Sequence, residues 1–376
     1  MKRSAMLFVL APALFATAQP QPEQSSQAEQ LVQSGAEAQK NGDLKAAIDD
    51  FRKALALQPT LLEAEIGLGA SLGAAGDLAG AIDVDRHALD DHPDNAALRT
   101  NLGLAYYAAG DMNGARREFE SLHQANPADT GAAIHLAYVY NKSGRETDAV
   151  ALLAPIEAGH ESELDLEYAL GYALIETGKV AEGISRIERV AHARSTSETW
   201  MLAGHARFDS RQFHEALADA QLALEANPSF PGAHTLAGQA FFAMGEIDKA
   251  IPEFQAALKQ DASDFTANLY LGILRFDNQD FESARPLLEL ALSIHPQDPL
   301  TRLEVARLRN VQGNGDEALA MLEGLEKSDP NWLDPHVELA ALYYKLHRPE
   351  DGQREREIVK KLEAQQPVPS HRKAEP

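Results

Sequence analysis

The chain has 376 residues, no cysteine and a formal net charge of −23, with 57 acidic against 34 basic residues. Without cysteine it has neither disulfides nor a thiol nucleophile. The acidic excess argues against nucleic acid as a partner, because lysine and arginine must neutralise its phosphates, and against anionic membrane surfaces. The hydrophobic content of 44% is ordinary and can supply a core.

The N-terminus has the pattern of a secretory signal peptide over residues 1–18. Lys2 and Arg3 form a basic start, residues 5–16 are an apolar stretch, and Ala16-Thr17-Ala18 fits the small-x-small cleavage pattern. The apolar stretch is too short to cross a bilayer, and no other segment is apolar enough to do so. Residues 19–27 (QPQPEQSSQ) are predicted to form a flexible linker. We therefore expect an exported protein, periplasmic or secreted, with no transmembrane span after cleavage.

Small residues recur along the rest of the chain with a period of 34. Glycine or alanine occupies ten places from Ala47 to Gly352 at steps of 34, apart from one step of 33. A second series of ten, from Gly35 to Ala340, lies twelve residues before the first. A fixed period of this size indicates stacked repeats that share one continuous core.

Each period is typical of two antiparallel helices joined by a turn. Helices that cross closely need a small residue at the crossing, and each of the two series supplies one. Between them a glycine recurs in seven repeats, from Gly42 to Gly313, where the chain can take positive φ. Proline then closes many repeats, since it cannot continue a helix.

One repeat shows the pattern most fully, with Leu102-Gly103-x2-Tyr106, then Ala115-x3-Phe119, then Pro127. This pattern resembles the tetratricopeptide repeat (TPR), which is W-x2-L-G-x2-Y, A-x3-F and P. Ten repeats over residues 28–362 start near residues 28, 62, 96, 130, 164, 197, 231, 265, 299 and 333. The resemblance implies an all-α fold, a right-handed α-α superhelix or TPR solenoid. Residues 363–376 are expected to form a disordered tail.

The first helix of each repeat has a second face, at i, i+4 and i+7, that we expect to line the inner surface of the superhelix. This face is rich in aromatic residues, which are favoured at interfaces. The alternative is that many of these rings half-bury against the neighbouring repeat. The predicted partner-binding residues are Tyr107, Tyr138, Asn141, Tyr168, Tyr172, His205, Phe208, Gln239, Phe242, Ile273, Phe276, Arg307 and Asn310.

No pattern of catalysis or metal binding is found. The 13 histidines include no pair three or four residues apart, so helical metal-binding pairs are missing. His214-Glu215 is not followed by the second histidine of a zinc-protease motif, and no glycine-rich phosphate loop occurs. We therefore predict no enzyme activity, no cofactor and no metal.

The function that fits best is an exported, non-catalytic TPR scaffold that binds protein or peptide partners in its concave groove, in an envelope assembly or a secretion complex. The first alternative is a glycan-handling component of a polysaccharide export machine, because sugars stack on aromatic rings. The second is an accessory subunit of an enzyme encoded elsewhere.

We predict cleavage of the native protein after Ala18. Sequencing the N-terminus of protein purified from its own cells is the measurement, and the expected first residue is Gln19. A mature chain that starts at Met1 or Lys2 would contradict signal cleavage.

Overall fold

The computed structural model describes residues 22–160 and 162–365, which form twenty α-helices with no strand among them. The all-α class predicted from the sequence is confirmed. The predicted signal peptide and residues 366–376 of the predicted tail lie outside the described residues. Among the helices that are described, none is both long and apolar enough to cross a membrane.

The chain divides into two compact units, Met1–Gly183 and Ile184–Pro376. The first unit contains α1 (Pro22–Lys40), α2 (Leu44–Leu57), α3 (Leu62–Ala74), α4 (Leu78–Asp91), α5 (Ala96–Ala108), α6 (Met112–Ala125), α7 (Thr130–Lys142), α8 (Glu146–Glu157) and α9 (Leu164–Glu176). The division falls within α10 (Val180–Arg194). The second unit contains α11 (Ser197–Asp209), α12 (Phe213–Ala226), α13 (Ala233–Ala243), α14 (Ile247–Gln260), α15 (Phe265–Asp277), α16 (Phe281–Ile294), α17 (Pro299–Val311), α18 (Gly315–Ser328), α19 (Leu333–Lys345) and α20 (Pro349–Gln365).

Within each unit the helices pack in sequence order. An odd-numbered helix, the first helix of a repeat, packs against the even-numbered second helix that follows it, as in α1 with α2 and α19 with α20. The second helix also packs against the next first helix, as in α2 with α3 and α18 with α19. Successive first helices touch as well, for example α3 with α5 and α17 with α19. The core is therefore a row of clusters, each built from adjoining helices.

The turn within each pair of helices uses a left-handed residue. Ten positions at the spacing of the repeat have φ between 59° and 89°, and seven of them are glycine. The other three are Arg211, Gln279 and His347, whose side chains make this conformation less favourable than it is for glycine. In the early repeats an aspartate follows the glycine directly and caps the second helix. Asp43, for example, accepts a hydrogen bond from the Ala46 N–H at 3.0 Å.

At several close crossings a buried side chain of the second helix lies against a glycine of the first helix. A Cβ added to Gly103 would lie 2.7 Å from the Phe119 ring, and one added to Gly238 would lie 2.7 Å from Phe254. The Phe119 and Phe254 rings are almost fully buried. The periodic small residues therefore allow bulky second-helix side chains to fill the core.

Asp85 occupies this bulky position in the repeat formed by α3 and α4. It lies four residues after Ala81, as Phe119 lies four residues after Ala115. The side chain is fully buried beside Gly69, and neither carboxylate oxygen has a hydrogen-bond partner in the part of the chain that the structure describes. Burial raises the pKa of Asp85 to about 7, because a charged carboxylate is costly without water or a counterion.

Both ends of the described chain differ from the predicted boundaries. Helix α1 begins at Pro22, so residues 22–27 of the predicted flexible linker are helical. The polar side chains of residues 23–27 suit an exposed helix face, while Ala28 and the residues after it supply the buried contacts. Helix α20 continues to Gln365, three residues into the predicted tail, and Leu362 anchors it to the core.

Two glycine-to-alanine substitutions should change stability in opposite directions. Gly103→Ala should destabilise the protein by about 1–3 kcal/mol, because the buried Phe119 ring cannot move aside. Gly73→Ala is the matched control, since its Cβ would lie 3.9 Å from Ala81, and alanine favours the helix by about 1 kcal/mol. Urea unfolding of both variants is the measurement, and a Gly103→Ala variant as stable as wild type would contradict a close crossing.

Asp85→Asn should remove a pH-dependent loss of stability. Because the pKa of Asp85 is raised to about 7 in the folded protein, the folded state keeps a proton that the unfolded state releases above about pH 4. Stability should therefore fall as the pH rises from about 4 to 7, by on the order of a few kcal/mol from this group. The stability of Asp85→Asn relative to wild type should rise over the same range, whereas Asp83→Asn, exposed on the same helix, should show no such trend. An Asp85→Asn difference that is the same at both ends of the range would contradict the burial of an ionisable group.

Candidate functional site

The first helices of the first compact unit form a pocket walled by tyrosines. Its volume is about 190 Å³, and it is lined from α5, α7 and α9. Five of the predicted partner-binding residues come together here, and Lys142, which the prediction left out, joins them. This tyrosine pocket is lined by Tyr107, Tyr138, Asn141, Lys142, Tyr168 and Tyr172.

Contacts between α7 and α9 hold the wall of the tyrosine pocket in place. The Tyr138 and Tyr168 rings lie 6.3 Å apart at a tilt of 44°. Asn141 donates a hydrogen bond from Nδ2 to the backbone carbonyl of Ala169 at 2.9 Å. The other amide atom, Asn141 Oδ1, is buried and has no hydrogen-bond donor among the described residues.

The tyrosine pocket contains a protonated phenol and a basic side chain. Burial, together with the negative charges of Glu176 and Glu146, raises the pKa of Tyr172. Its phenol therefore remains a hydrogen-bond donor at neutral pH. Lys142 is exposed and is the one basic side chain in the lining. The pocket thus offers aromatic faces, hydroxyl groups and a single positive charge.

A second, more apolar pocket of about 430 Å³ lies between α3 and α5. Its wall includes Gly69, Gly73 and Ala105, and Leu104 is 42% exposed there. Tyr107 lines this pocket and the tyrosine pocket alike. The first helices α3, α5, α7 and α9 therefore carry a continuous run of concave surface. The aromatic pattern of the sequence does not reveal the part of this surface between α3 and α5, because glycine and alanine line it.

Most of the predicted partner-binding residues of the second compact unit pack against other side chains. Phe208, Gln239 and Phe242 are half-buried, and His205 is exposed. The Phe208 ring lies 5.3 Å from Phe213, and the Phe242 ring contacts Tyr270 edge-on at 5.0 Å. The Phe242 ring therefore half-buries against the neighbouring repeat, as in the alternative, whereas the Phe208 ring packs within its own repeat.

Ile273 and Phe276 lie in the hydrophobic core instead of on the expected inner surface. They are 8% and 9% exposed and pack in a cluster with Leu288 and Leu308. The Arg307 guanidinium stacks on the Phe276 ring at 4.9 Å and covers its outer face. The i, i+4, i+7 pattern does not reveal such a cover, because it comes from the next first helix.

Arg307 and Asn310 are engaged in contacts within the protein. Arg307 forms ion pairs with Glu304 at 2.9 Å and Glu338 at 3.2 Å. Lys345 donates hydrogen bonds from Nζ to Asn310 Oδ1 at 2.8 Å and to the Asn310 carbonyl at 2.7 Å. The pocket between α17 and α19 is lined by three carboxylates, Glu304, Asp334 and Glu338, and by Arg307. Burial raises the pKa of Glu304.

Sequence comparison identifies repeats over most of the chain. Models described as tetratricopeptide repeat match residues 31–61, 72–122, 107–162, 235–299 and 275–342. Together these segments cover well over half of the chain. A search of curated protein sequences finds no significant match.

Solved structures with a similar fold include a tetratricopeptide repeat protein from Parabacteroides merdae. It is 17% identical, has a TM-score of 0.52 and aligns with 71% of this chain and 99% of its own. The C-terminal part of a TPR repeat-containing protein from Cytophaga hutchinsonii is 16% identical over 63% of this chain and 97% of its own, with a TM-score of 0.48. YrrB, described as a TPR protein with an unusual peptide-binding site, is 21% identical over 49% of this chain and 95% of its own, with a TM-score of 0.41. The first of these shows that the chain shares the fold.

Proposed function

Because this chain belongs to the tetratricopeptide repeat family, we propose that it is a non-catalytic scaffold that binds a protein or peptide partner at the tyrosine pocket. Tetratricopeptide repeats generally serve as protein-interaction modules. The observation that carries the proposal is the convergence of four tyrosines from three successive first helices on one pocket, beside the basic side chain of Lys142.

The chemistry of the tyrosine pocket suits a polypeptide. Tyrosine offers a large contact area and fixes few rotatable bonds on binding, and it is enriched among residues that dominate interface energies. Lys142 can pair with a carboxylate of the partner at the rim, where such a pair contributes to orientation more than to affinity.

We further propose that the protein is exported and that its array comprises ten repeats. The basic start, apolar stretch and cleavage pattern of residues 1–18 support export. Twenty helices that alternate as first and second helices support the repeat count. An exported scaffold of this kind would serve an envelope assembly or a secretion complex.

A polysaccharide is the second candidate ligand. Its support is the same set of tyrosine rings, whose faces can stack on sugars and whose hydroxyls can bond to them. The two candidates differ in what the native protein retains, so one capture experiment separates them.

Tyr168→Ala should weaken partner binding strongly. The partner is first captured from the native envelope fraction on immobilised full-length protein and identified by mass spectrometry. Its affinity is then measured for wild type and variants. Truncating an interface tyrosine costs about 2 kcal/mol or more, which is roughly a thirtyfold loss of affinity. Phe208→Ala is the control, because Phe208, like Tyr168, is a half-buried aromatic residue of a first helix and lies outside the tyrosine pocket.

Melting temperatures of both variants show whether each one remains folded. A folded Tyr168→Ala variant that binds its partner with wild-type affinity would place the binding site elsewhere. Retention on immobilised polysaccharide that depends on Tyr168, with no protein captured, would support the glycan alternative.

A further inference from the structure

One position on the first helices repeatedly carries a polar side chain that reaches across the repeat. Arg99 donates from Nη2 to the carbonyl of Pro93 at 2.7 Å and from Nη1 to Glu118 at 2.8 Å. His234, at the same position in a later repeat, lies with Nδ1 2.7 Å from Glu253 Oε2. His336 occupies the same position in α19. There a third residue, Glu326, lies beside the histidine–glutamate pair.

His336 is held rigidly between a carbonyl and a carboxylate. Its ring is 1% exposed, with Nε2 3.0 Å from the carbonyl of Pro330 and Nδ1 2.6 Å from Glu355 Oε2. Because a carbonyl can only accept, Nε2 carries a hydrogen, and Nδ1 is directed at the carboxylate. A backbone carbonyl that fixes the tautomer in this way is a common support behind metal-binding histidines.

Glu326 completes a three-residue group at this place. One atom each from the Glu326 carboxylate, the His336 ring and the Glu355 carboxylate lies within 4.8 Å of the other two. Glu355 is 7% exposed and Glu326 is half-buried. Two carboxylates and a ring nitrogen that face one another need a positive charge between them. Either a proton on His336 or a bound cation can supply it.

We propose that Glu326, His336 and Glu355 bind a zinc ion, which links α18, α19 and α20 at the end of the second compact unit. One imidazole and two carboxylates form a mixed nitrogen and oxygen set, which suits zinc better than calcium or magnesium. Tetrahedral zinc needs its ligand atoms about 3.3 Å apart, so Nδ1 and Oε2 must separate by about 0.7 Å. The proposal requires a rotation of the Glu355 side chain to open this gap, and Glu326 is the least buried of the three ligands. The metal would stabilise the packing of the last three helices.

The sequence contains a natural control for this site. His234 and Glu253 form the same histidine–glutamate pair at the same place in an earlier repeat. The residue there that corresponds to Glu326 is Leu224, which cannot bind a metal. A site that depends on three ligands should therefore exist at His336 and be absent at His234.

Zinc titration of the untagged full chain by calorimetry tests the proposal, with melting temperature as a second measurement. Wild type should bind zinc at this site and melt at a higher temperature with zinc, whereas magnesium and calcium should have no such effect. Glu326→Gln leaves the contacts of His336 with Glu355 and Pro330 in place, so it should fold normally. It should bind zinc at least about tenfold more weakly and lose the rise in melting temperature.

His336→Gln should lose the same binding, and His234→Gln should keep it. If His336→Gln does not fold, zinc binding by Glu326→Gln compared with zinc binding by His234→Gln still tests the proposal. Wild type that binds no zinc would overturn the proposal and leave a protonated His336 as the positive charge. Glu326→Gln that binds zinc as tightly as wild type would also overturn it.

Discussion

The close crossing of the two helices in each repeat is the constraint on which the rest of the structure depends. A glycine on the first helix lets a buried ring or leucine of the second helix come into direct contact with the backbone, as Gly103 does for Phe119 and Gly272 for Leu288. Because this face of the first helix is fixed against the second helix, a different face of the first helix is left open to solvent. The tyrosine pocket lies on that solvent-facing side. The crossings therefore determine which side chains a binding partner can reach.

The crossing also explains two departures from the repeat pattern, one in the core and one at the turns. Asp85 fits where a ring or leucine lies in other repeats because it is small, but it has no hydrogen-bond partner and its pKa rises to about 7. At the turns, Arg211, Gln279 and His347 take the same left-handed conformation as the seven glycines. The packing of the helices on either side therefore imposes the turn even where the residue does not favour it.

Much of the fold could be predicted from the sequence, because one spacing of small residues encodes the helices, turns and crossings together. The tyrosine pocket could be predicted in part for a similar reason, since its residues recur at equivalent places. The burial of Phe276 could not, because the arginine that covers it comes from another repeat. The group formed by Glu326, His336 and Glu355 could not be predicted either. Its three residues lie on three helices, so they form no histidine pair along one helix. The start of α1 at Pro22 was missed because a polar segment can be an exposed helix face as well as a linker.

A double-mutant cycle on Gly103 and Phe119 tests the central role of the close crossing most directly. If the ring is what forbids a side chain at residue 103, Gly103→Ala should cost stability in the wild-type protein and stabilise the Phe119→Ala variant, where the added methyl fills space. Urea unfolding of the four proteins should then give a coupling energy of about 1 kcal/mol or more. Costs that add to within about 0.3 kcal/mol would show that the ring and the glycine act independently, and would contradict the account.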